Sequence, residues 1–440
     1  VLELSKKIKK IKRIALVGHV SSVVGMRIEV IGITPFLGIG SRCQIISRQG
    51  EKILCEVIGF LSEGRALVLP YTTVEGIGTG CPVEAWDAEP VIYPHSSWKG
   101  RVLNAFSHPI DGKEDLIQGS SAYHLHQTPP PAYGRQRIGP KVDLGIRAIN
   151  TFLSCCIGQR MGIFAGSGVG KSLLLAMMAR LSQFHVIVIG LVGERGREVQ
   201  EFIDDYLGPE GLKKSVLVVA TSDESPLMRK QAAQLTLTIA EYFADQGLHV
   251  MCMIDSVTRF AMAQREIGLT LGEPPTTRGY TPTVFSEIPK LLERAGPRME
   301  TGSITGLFTV LVEGDDQNEP IADAVRGTLD GHIILDRSIA MRRLPAIDIL
   351  RSVSRTMPAC NTPQETELVN KAKEFMMIYE DMADLIRLGA YRKGTDPQVD
   401  QAIHYAPLFH EFLSQMPHES SDLQEGFEAL KSILETYPSS

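Results

Sequence analysis

The sequence predicts an α/β protein with three parts: an N-terminal β-barrel, a core with a phosphate-binding loop and a C-terminal helical region. Three observations carry this. Between 151 and about 345, continuous apolar runs alternate with helical patterns, as in a mostly parallel sheet covered on both faces. From about 14 to 92, short β-rich runs are broken by Gly and Pro at close spacing, as in a small barrel or sandwich. From 346 onward the pattern turns helical.

Length and composition allow this plan. The 440 residues suggest about two to four domains, and the boundaries are read as 1–92, 93–356 and 357–440. The chain is 43% hydrophobic and 22% charged, ordinary for a soluble protein with a sizeable core. A net charge of −6 gives no general case for nucleic-acid binding. The seven cysteines, at 43, 55, 81, 155, 156, 252 and 360, form no Cys-x-x-Cys pair, which argues against a zinc site or a disulfide framework and fits a reducing cytoplasm. No apolar run is long enough to span a membrane and no signal peptide is evident. The chain starts at Val1 rather than Met, read as the loss of a few residues.

Residues 5–13 are strongly basic with Ile at intervals, which suits a short amphipathic helix on an acidic partner or lipid, or simply a solvated end. Strands are expected at Ile14–Val17, Val23–Val30, Gln44–Ile46, Ile53–Phe60 and Ala66–Leu69. No catalytic cluster falls here, so this part reads as a scaffold or oligomer collar. Residues 93–150 are a transition containing a strand near Arg101–Asn104 and an extended Pro129-Pro130-Pro131. Core strands are expected at Arg160–Phe164, His185–Leu191, Ser215–Ala220, His249–Ile254 and Ser303–Val312. Core helices are expected at Ser172–Ser182, Arg195–Tyr206, Pro226–Gln246 and Ser256–Ile267. The C-terminal helices are read as Pro363–Leu388, Asp396–Leu413 and Ser421–Tyr437, interrupted by Pro407 and Pro417.

The chemistry centres on Ala165-Gly166-Ser167-Gly168-Val169-Gly170-Lys171-Ser172, which joins a strand to a helix. Glycines let successive N–H groups point at one anion, and the helix that follows puts its positive dipole end beneath it. Lys171 supplies mobile charge for the outer phosphates and Ser172 a hydroxyl for Mg²⁺. Gly166, Ser167, Gly168, Val169, Gly170, Lys171, Ser172 and Leu173 are the candidate nucleotide contacts. Ala165 stands where the usual pattern has Gly. Asp255 ends an apolar strand and suits Mg²⁺ held through water, or a helix N-cap. Glu194 ends another strand, where it could orient an attacking water or favour a helix dipole. Arg355 follows the core and suits an arginine finger from a neighbouring subunit, or a surface ion pair.

Together, these residues and their flanks resemble a family. The runs Ala165–Ser172, Gly193-Glu194-Arg195-Gly196-Arg197-Glu198-Val199 and Asp255–Gly268 occur in order. Gly272-Glu273-Pro274-Pro275 and Gly279–Phe285 follow. The chain resembles the type III secretion ATPases, relatives of the catalytic subunit of rotary ATP synthases. The runs Val312–Asp323 and Arg351–Pro358 look like its flagellar protein-export branch rather than the injectisome branch. The resemblance implies a RecA-type P-loop ATPase core and a homohexamer with ATP and Mg²⁺ at subunit interfaces. It implies Lys171 and Ser172 on phosphate and Mg²⁺, Glu194 as catalytic carboxylate, and Arg195 as the basic residue beside it. It further implies Asp255 at the end of the second nucleotide-site strand and Arg355 as the finger toward the neighbour's γ-phosphate. Leu344 stands where the rotary relatives stack an aromatic on adenine, so purine selectivity is left open.

The implied role is energising protein export at the cytoplasmic face of a membrane-embedded export gate, releasing and unfolding substrates from chaperones. Implied partners are a stator-like regulator or anionic lipid at the N-terminus, a central stalk protein, the export-gate membrane proteins and chaperone–substrate complexes. Two other readings are weaker. A rotary synthase head is disfavoured by Ser167, Gly196 and Leu344. A nucleic-acid motor would need a basic, aromatic groove, and residues 14–92 carry Phe36, Phe60, Tyr71 and Trp86 without a basic cluster.

Overall fold

The computed structural model describes residues 16–86, 90–312 and 319–437. The basic stretch 5–13 and residues 313–318 of the run quoted above lie outside them.

Six strands close a barrel in the order β1-β2-β5-β4-β3-β6: β1 Val17–Val24, β2 Arg27–Ile31, β3 Arg42–Ile46, β4 Lys52–Leu61, β5 Arg65–Pro70 and β6 Pro82–Trp86. Neighbours are antiparallel, and closure leaves no free edge. The expected single strand Val23–Val30 is instead a hairpin. Val24 pairs Arg27 across a two-residue turn whose first position, Gly25, takes φ +59°. Glycine there matches the twist of the flanking strands. The sequence reading also missed β6, which closes the barrel between β1 and β3. Inward positions are apolar and include Val20, Ile28, Ile45, Val57, Val68 and Val83, with the free thiols of Cys43 and Cys55 directly opposite one another.

After β7 (Val91–Ile92), β8 (Arg101–Asn104) and β9 (Tyr123–His124) comes the core sheet. Its strands are β8 together with β10 Arg160–Ala165, β11 Val186–Glu194, β12 Ser215–Thr221, β13 His249–Asp255, β14 Gly296–Pro297, β15 Ser303–Leu311, β16 Gly331–Leu335 and β17 Ile347–Ser354. The order is β17-β16-β10-β15-β13-β11-β12-β8, with β14 beside β15. All pairs are parallel except β16–β17 and β14–β15. β10, β11, β13 and β15 are buried almost throughout, as strands covered on both faces must be.

The helices are α1 Arg147–Phe152, α2 Lys171–Leu181, α3 Gly196–Glu201, α4 Gly208–Lys213, α5 Pro226–Asp245 and α6 Val257–Leu271. They continue with α7 Pro282–Leu292, α8 Pro320–Thr328, α9 Arg337–Ala340, α10 Pro363–Arg387, α11 Pro397–Leu413 and α12 Leu423–Leu434. The helix expected over Arg195–Tyr206 is α3 running into a π-turn at Phe202–Leu207. Pro407 does not interrupt α11 but lies inside it, whereas Pro417 falls between α11 and α12.

Each unit is tied to the core. Ile58, Leu67, Leu69 and Tyr71 of the barrel side pack on Leu227 and Ile267, and Arg42 donates to Gln231 at 2.8 Å. The C-terminal helices share the main core cluster through Phe375, Tyr405, Phe409 and Leu430. Gln415 N–H reaches Leu344 O at 2.8 Å, and Arg147 bonds Phe412 O at 3.0 Å. Among the described residues no helix is long and apolar enough to cross a membrane.

Candidate functional site

Parallel strands deliver their carboxyl ends to one edge of the sheet. Ala165 aligns with Leu311 and Leu335, and Asp255 with Leu191. The loop 166–170 leaves β10 at this edge and enters α2. Gly168 and Gly170 take φ +77° and +88°, a region that costs other residues. Gly166 needs no such conformation. Ala165 is the last, buried residue of β10 and accommodates its Cβ without a positive φ.

A cleft of about 860 Å³ opens over the loop, lined by Ser167, Lys171, Ser172, Leu173, Glu194 and Arg195 among others. At its base the Lys171 ammonium lies between two carboxylates. It contacts Asp255 directly and stands 3.5 Å from Glu194 Oε1. Burial pulls the amine down, but Asp255 and then Glu194 outweigh it, so its pKa lies above the ordinary lysine value. Glu194 is pushed up to about 7, by burial first and then by the charge of Asp255, against the pull of Lys171. Asp255 is 2% exposed. The N-cap of α6 is Ser256, not Asp255, which leaves the carboxylate facing Lys171.

Glu194 reaches the cleft through a local irregularity. β11 pairs regularly with β12 up to Val192↔Ala220 and then skips to Glu194↔Thr221. Gly193, at φ +73°, takes up the extra residue. A Cβ on Gly193 would lie 2.7 Å from Arg259 Cβ, so glycine also lets α6 approach. Bulges of this kind re-aim side chains beside functional sites.

Of the residues expected in the site, Lys171, Ser172, Leu173, Glu194 and Asp255 converge on this edge. Val169 is buried beneath the loop. Arg195 lines the cleft with its side chain 74% exposed, 3.5 Å from Glu198. Arg355 is not brought to its own loop. It follows β17, which runs antiparallel to β16, so it sits at the opposite end of the sheet with its N–H on Asp330 O. The length of β10, about 16 Å, separates the two ends. Leu344 does stand near the loop: its Cδ2 would lie 3.3 Å from a Cβ on Gly170.

Several residues escaped sequence reasoning. Thr309, buried on β15, donates to Asp255 Oδ1 at 2.7 Å. Arg337 donates to the Ser167 carbonyl at 3.3 Å. Arg259, Arg265, Arg278 and Glu319 also line the cleft. A hydroxyl residue within the apolar stretch Leu307–Leu311 was the available signal for Thr309. Arg337 had none, because its partner is fixed only by the β16–α9 corner.

The donor set suits Mg²⁺ carried with a nucleotide. Ser172 and Asp255 offer hard oxygens on either side of the loop, too few to cage an ion alone. Among the described residues, no group of three or more His, Cys, Asp or Glu could hold a metal.

Comparisons with known proteins bear on the family and the fold. Residues 145–354 match the ATP synthase alpha/beta family, nucleotide-binding domain. Residues 361–432 match the T3SS EscN ATPase C-terminal domain. The flagellum-specific ATP synthase of Caulobacter vibrioides is 52% identical over 437 residues, covering 98% of both chains. That of Bacillus subtilis is 48% identical over 419 residues, covering 94% of each. The assembled ATPase EscN from the enteropathogenic E. coli type III secretion system superposes with a TM-score of 0.87 at 40% identity, over 95% of this chain and 100% of that one. EscN in complex with its central stalk EscO gives 0.86 at 40% identity, with the same coverage.

Proposed function

The chain belongs to the flagellum-specific ATP synthase family, and from that membership and the site we propose that it is a Mg²⁺-dependent ATPase energising flagellar type III protein export. The observation that carries the reading is Lys171 held between Glu194 and Asp255 beneath the phosphate loop. The N–H groups of 166–172 and the start of α2 cradle the β- and γ-phosphates. Lys171 leaves its carboxylates for the phosphate oxygens. Glu194, relieved of Lys171, accepts a hydrogen bond from water and aligns it with the γ-phosphorus. Arg195 adds positive charge at the mouth. Ser172 directly, and Asp255 through water, would hold Mg²⁺, which neutralises charge on the β- and γ-phosphates. Arg355 completes the site from the neighbouring copy in a homohexamer.

The division into 1–92, 93–356 and 357–440 assigns the barrel to assembly, the middle to hydrolysis and the helices to partners. Those partners are a central stalk protein and chaperone–substrate complexes, whose cargo is released and unfolded. The basic leader binds a stator-like regulator or anionic lipid, which holds the ATPase at the cytoplasmic side of the membrane beside the export gate.

Two variants test the site. Lys171→Ala and Glu194→Gln should each abolish phosphate release, while Glu194→Gln keeps fluorescent-nucleotide binding near the parental level. Parental turnover in Glu194→Gln would refute its water-positioning role.

A further inference from the structure

Two connections meet at the end of the sheet that bears Arg355. One, 153–159, leads from α1 into β10, and the other, 355–362, leads from β17 into α10. Hydrogen bonds stitch them together. The Thr356 hydroxyl lies 3.1 Å from Gln159 Oε1 and 3.4 Å from Ser154 O, and Ser354 donates to Ser154 O at 2.8 Å. Gln159 Oε1 also accepts from the Cys156 N–H at 2.8 Å, and the Cys360 N–H donates to Thr356 O at 3.0 Å. Each connection therefore carries one cysteine whose backbone is pinned to this junction.

The two thiols face each other. Cys156 and Cys360 stand within hydrogen-bonding reach of one another, and both reach the Thr356 hydroxyl. All seven cysteines are free thiols and six of them are buried. Cys360 is the exception: it is partly exposed, with Cys156 1% exposed behind it. The hydrogen bond with Cys156 holds the Cys360 thiol below its ordinary pKa against the pull of burial, helped by Thr356 and the Lys141 ammonium. The same bond and then burial push Cys156 up. Lys141 is fixed there by its backbone bridge to Cys156 and its 2.7 Å ion pair with Glu365. An accessible thiolate with a protected thiol behind it is the arrangement that sulfur oxidation to a disulfide needs. The other opposed pair, Cys43 and Cys55, lacks it, since both are 0% exposed inside the closed barrel.

We propose that Cys156 and Cys360 form a redox modification site, which hydrogen peroxide closes into a reversible disulfide that staples the Arg355 segment to the connection before β10. The Cys360 thiolate attacks one peroxide oxygen. The O–O bond breaks, hydroxide leaves and takes up a proton, and Cys360 becomes a sulfenic acid. The Cys156 sulfur then attacks the Cys360 sulfur. The S–O bond breaks, the S–S bond forms, and the Cys156 proton leaves with the hydroxyl as water. Two thiols lose two electrons, and one peroxide becomes two waters. Formation of the bond rests on the placement of the thiols alone. Its effect on turnover rests on the proposed role of Arg355, whose segment loses its freedom while the phosphate loop at the other end of the sheet is untouched.

The test treats the assembled full-length chain with a small excess of hydrogen peroxide, followed by unfolding, alkylation, digestion and mass spectrometry. A peptide pair linked through Cys156 and Cys360 should appear, with two fewer alkylated thiols than the seven of the reduced chain, and dithiothreitol should reverse it. Cys360→Ser should abolish the link. Cys155→Ala should keep it, which separates Cys156 from its neighbour. Cys156→Ser should leave a sulfenic acid on Cys360 that dimedone traps. No linked pair in the parent, a link that Cys155→Ala removes, or a link that survives Cys360→Ser would each overturn the assignment. Turnover of the oxidised parent should fall several-fold with ADP affinity unchanged and recover with dithiothreitol, while Cys360→Ser stays insensitive to peroxide. A linked chain with parental turnover would overturn the staple's hold on Arg355. Full activity in Arg355→Ala, beside a linked pair in the parent, would instead overturn the Arg355 reading and leave the disulfide standing.

Discussion

At the scale of single residues, the site is a balance of charges around Lys171. Two carboxylates share one ammonium, and the more exposed of them, Glu194, holds its proton up to about pH 7. The sign follows directly. A carboxyl raised from its ordinary 4.5 is neutral below 7 and cannot accept a hydrogen bond from water as an anion. kcat/KM, which reports the free enzyme, should therefore fall as pH drops through about 7, approaching tenfold per unit. A profile flat from pH 5.5 to 8.5 would remove Glu194 from this role. Thr309 sets the other carboxylate. Its hydroxyl and Lys171 share Asp255 Oδ1, which leaves Oδ2 as the oxygen that would accept from water on Mg²⁺. Thr309→Val keeps the shape and removes the donor, at about 1.5–3 kcal/mol for a lost hydrogen bond to a charged group. kcat should fall roughly tenfold or more, by that energy, with a higher Mg²⁺ requirement, and Thr309→Ser should restore both. Parental kinetics in the valine variant across a Mg²⁺ titration would dismiss the bond. Lys171 was legible from the glycine loop that leads into α2, and Glu194 and Asp255 from the apolar strands that they end. Thr309 and Gly193 were not, since each takes its meaning from a neighbour 54 and 66 positions away, Asp255 and Arg259 respectively.

At the scale of elements, strands buried on both faces were read to within a few residues, because a continuous apolar run announces itself. The misreadings have local causes. Val23–Val30 looked like one strand because the turn spends a single glycine, Gly25. β17 went unread because it lies at the sheet's edge, where Asp348 and Arg351 break its apolar run, and β16 because its apolar run, Ile333–Leu335, is only three residues long. α7, for which no helix was expected, carries an internal Pro289, a residue that weakens a helical pattern. What locks α7 to α5 was also invisible. Arg294, just beyond α7, pairs with Glu241 of α5 through two 2.8 Å bonds, with 2% and 3% of their side chains exposed. It also donates to Leu125 O at 2.9 Å and to Thr238 at 2.8 Å. Removing one partner strands a buried charge, so Arg294→Met should destabilise by about 3–5 kcal/mol. Replacing Glu241 with Leu as well should recover most of that loss. Hydrogen exchange across α5 and the Leu125 strand-end reads both outcomes. An equal loss in single and double variants would mean that packing, not charge, holds this corner.

At the scale of the whole molecule, the sheet itself decides where Arg355 can act. Because β17 runs antiparallel to β16, it carries Arg355 away from the edge that bears the phosphate loop. A chain with both ends of its sheet intact still cannot bring the two together, so any contact between Arg355 and phosphate has to cross between copies. This converts a motif reading into a mixing experiment. Lys171→Ala has a dead loop and an intact Arg355; Arg355→Ala has the reverse. Each alone should be nearly inactive, the second by about 10³-fold or more, as for other arginine fingers. In a ring assembled at random from equal amounts, an interface works only when an intact loop faces an intact Arg355. Each condition holds for half the subunits, so up to about a quarter of parental activity should return, provided sites turn over independently. Recovery should require protein concentrations at which sedimentation shows assembly, and it should vanish on dilution. A mixture that assembles and stays inactive would place Arg355 in subunit packing rather than at the γ-phosphate. Activity in undiluted Arg355→Ala alone would remove it from the site altogether.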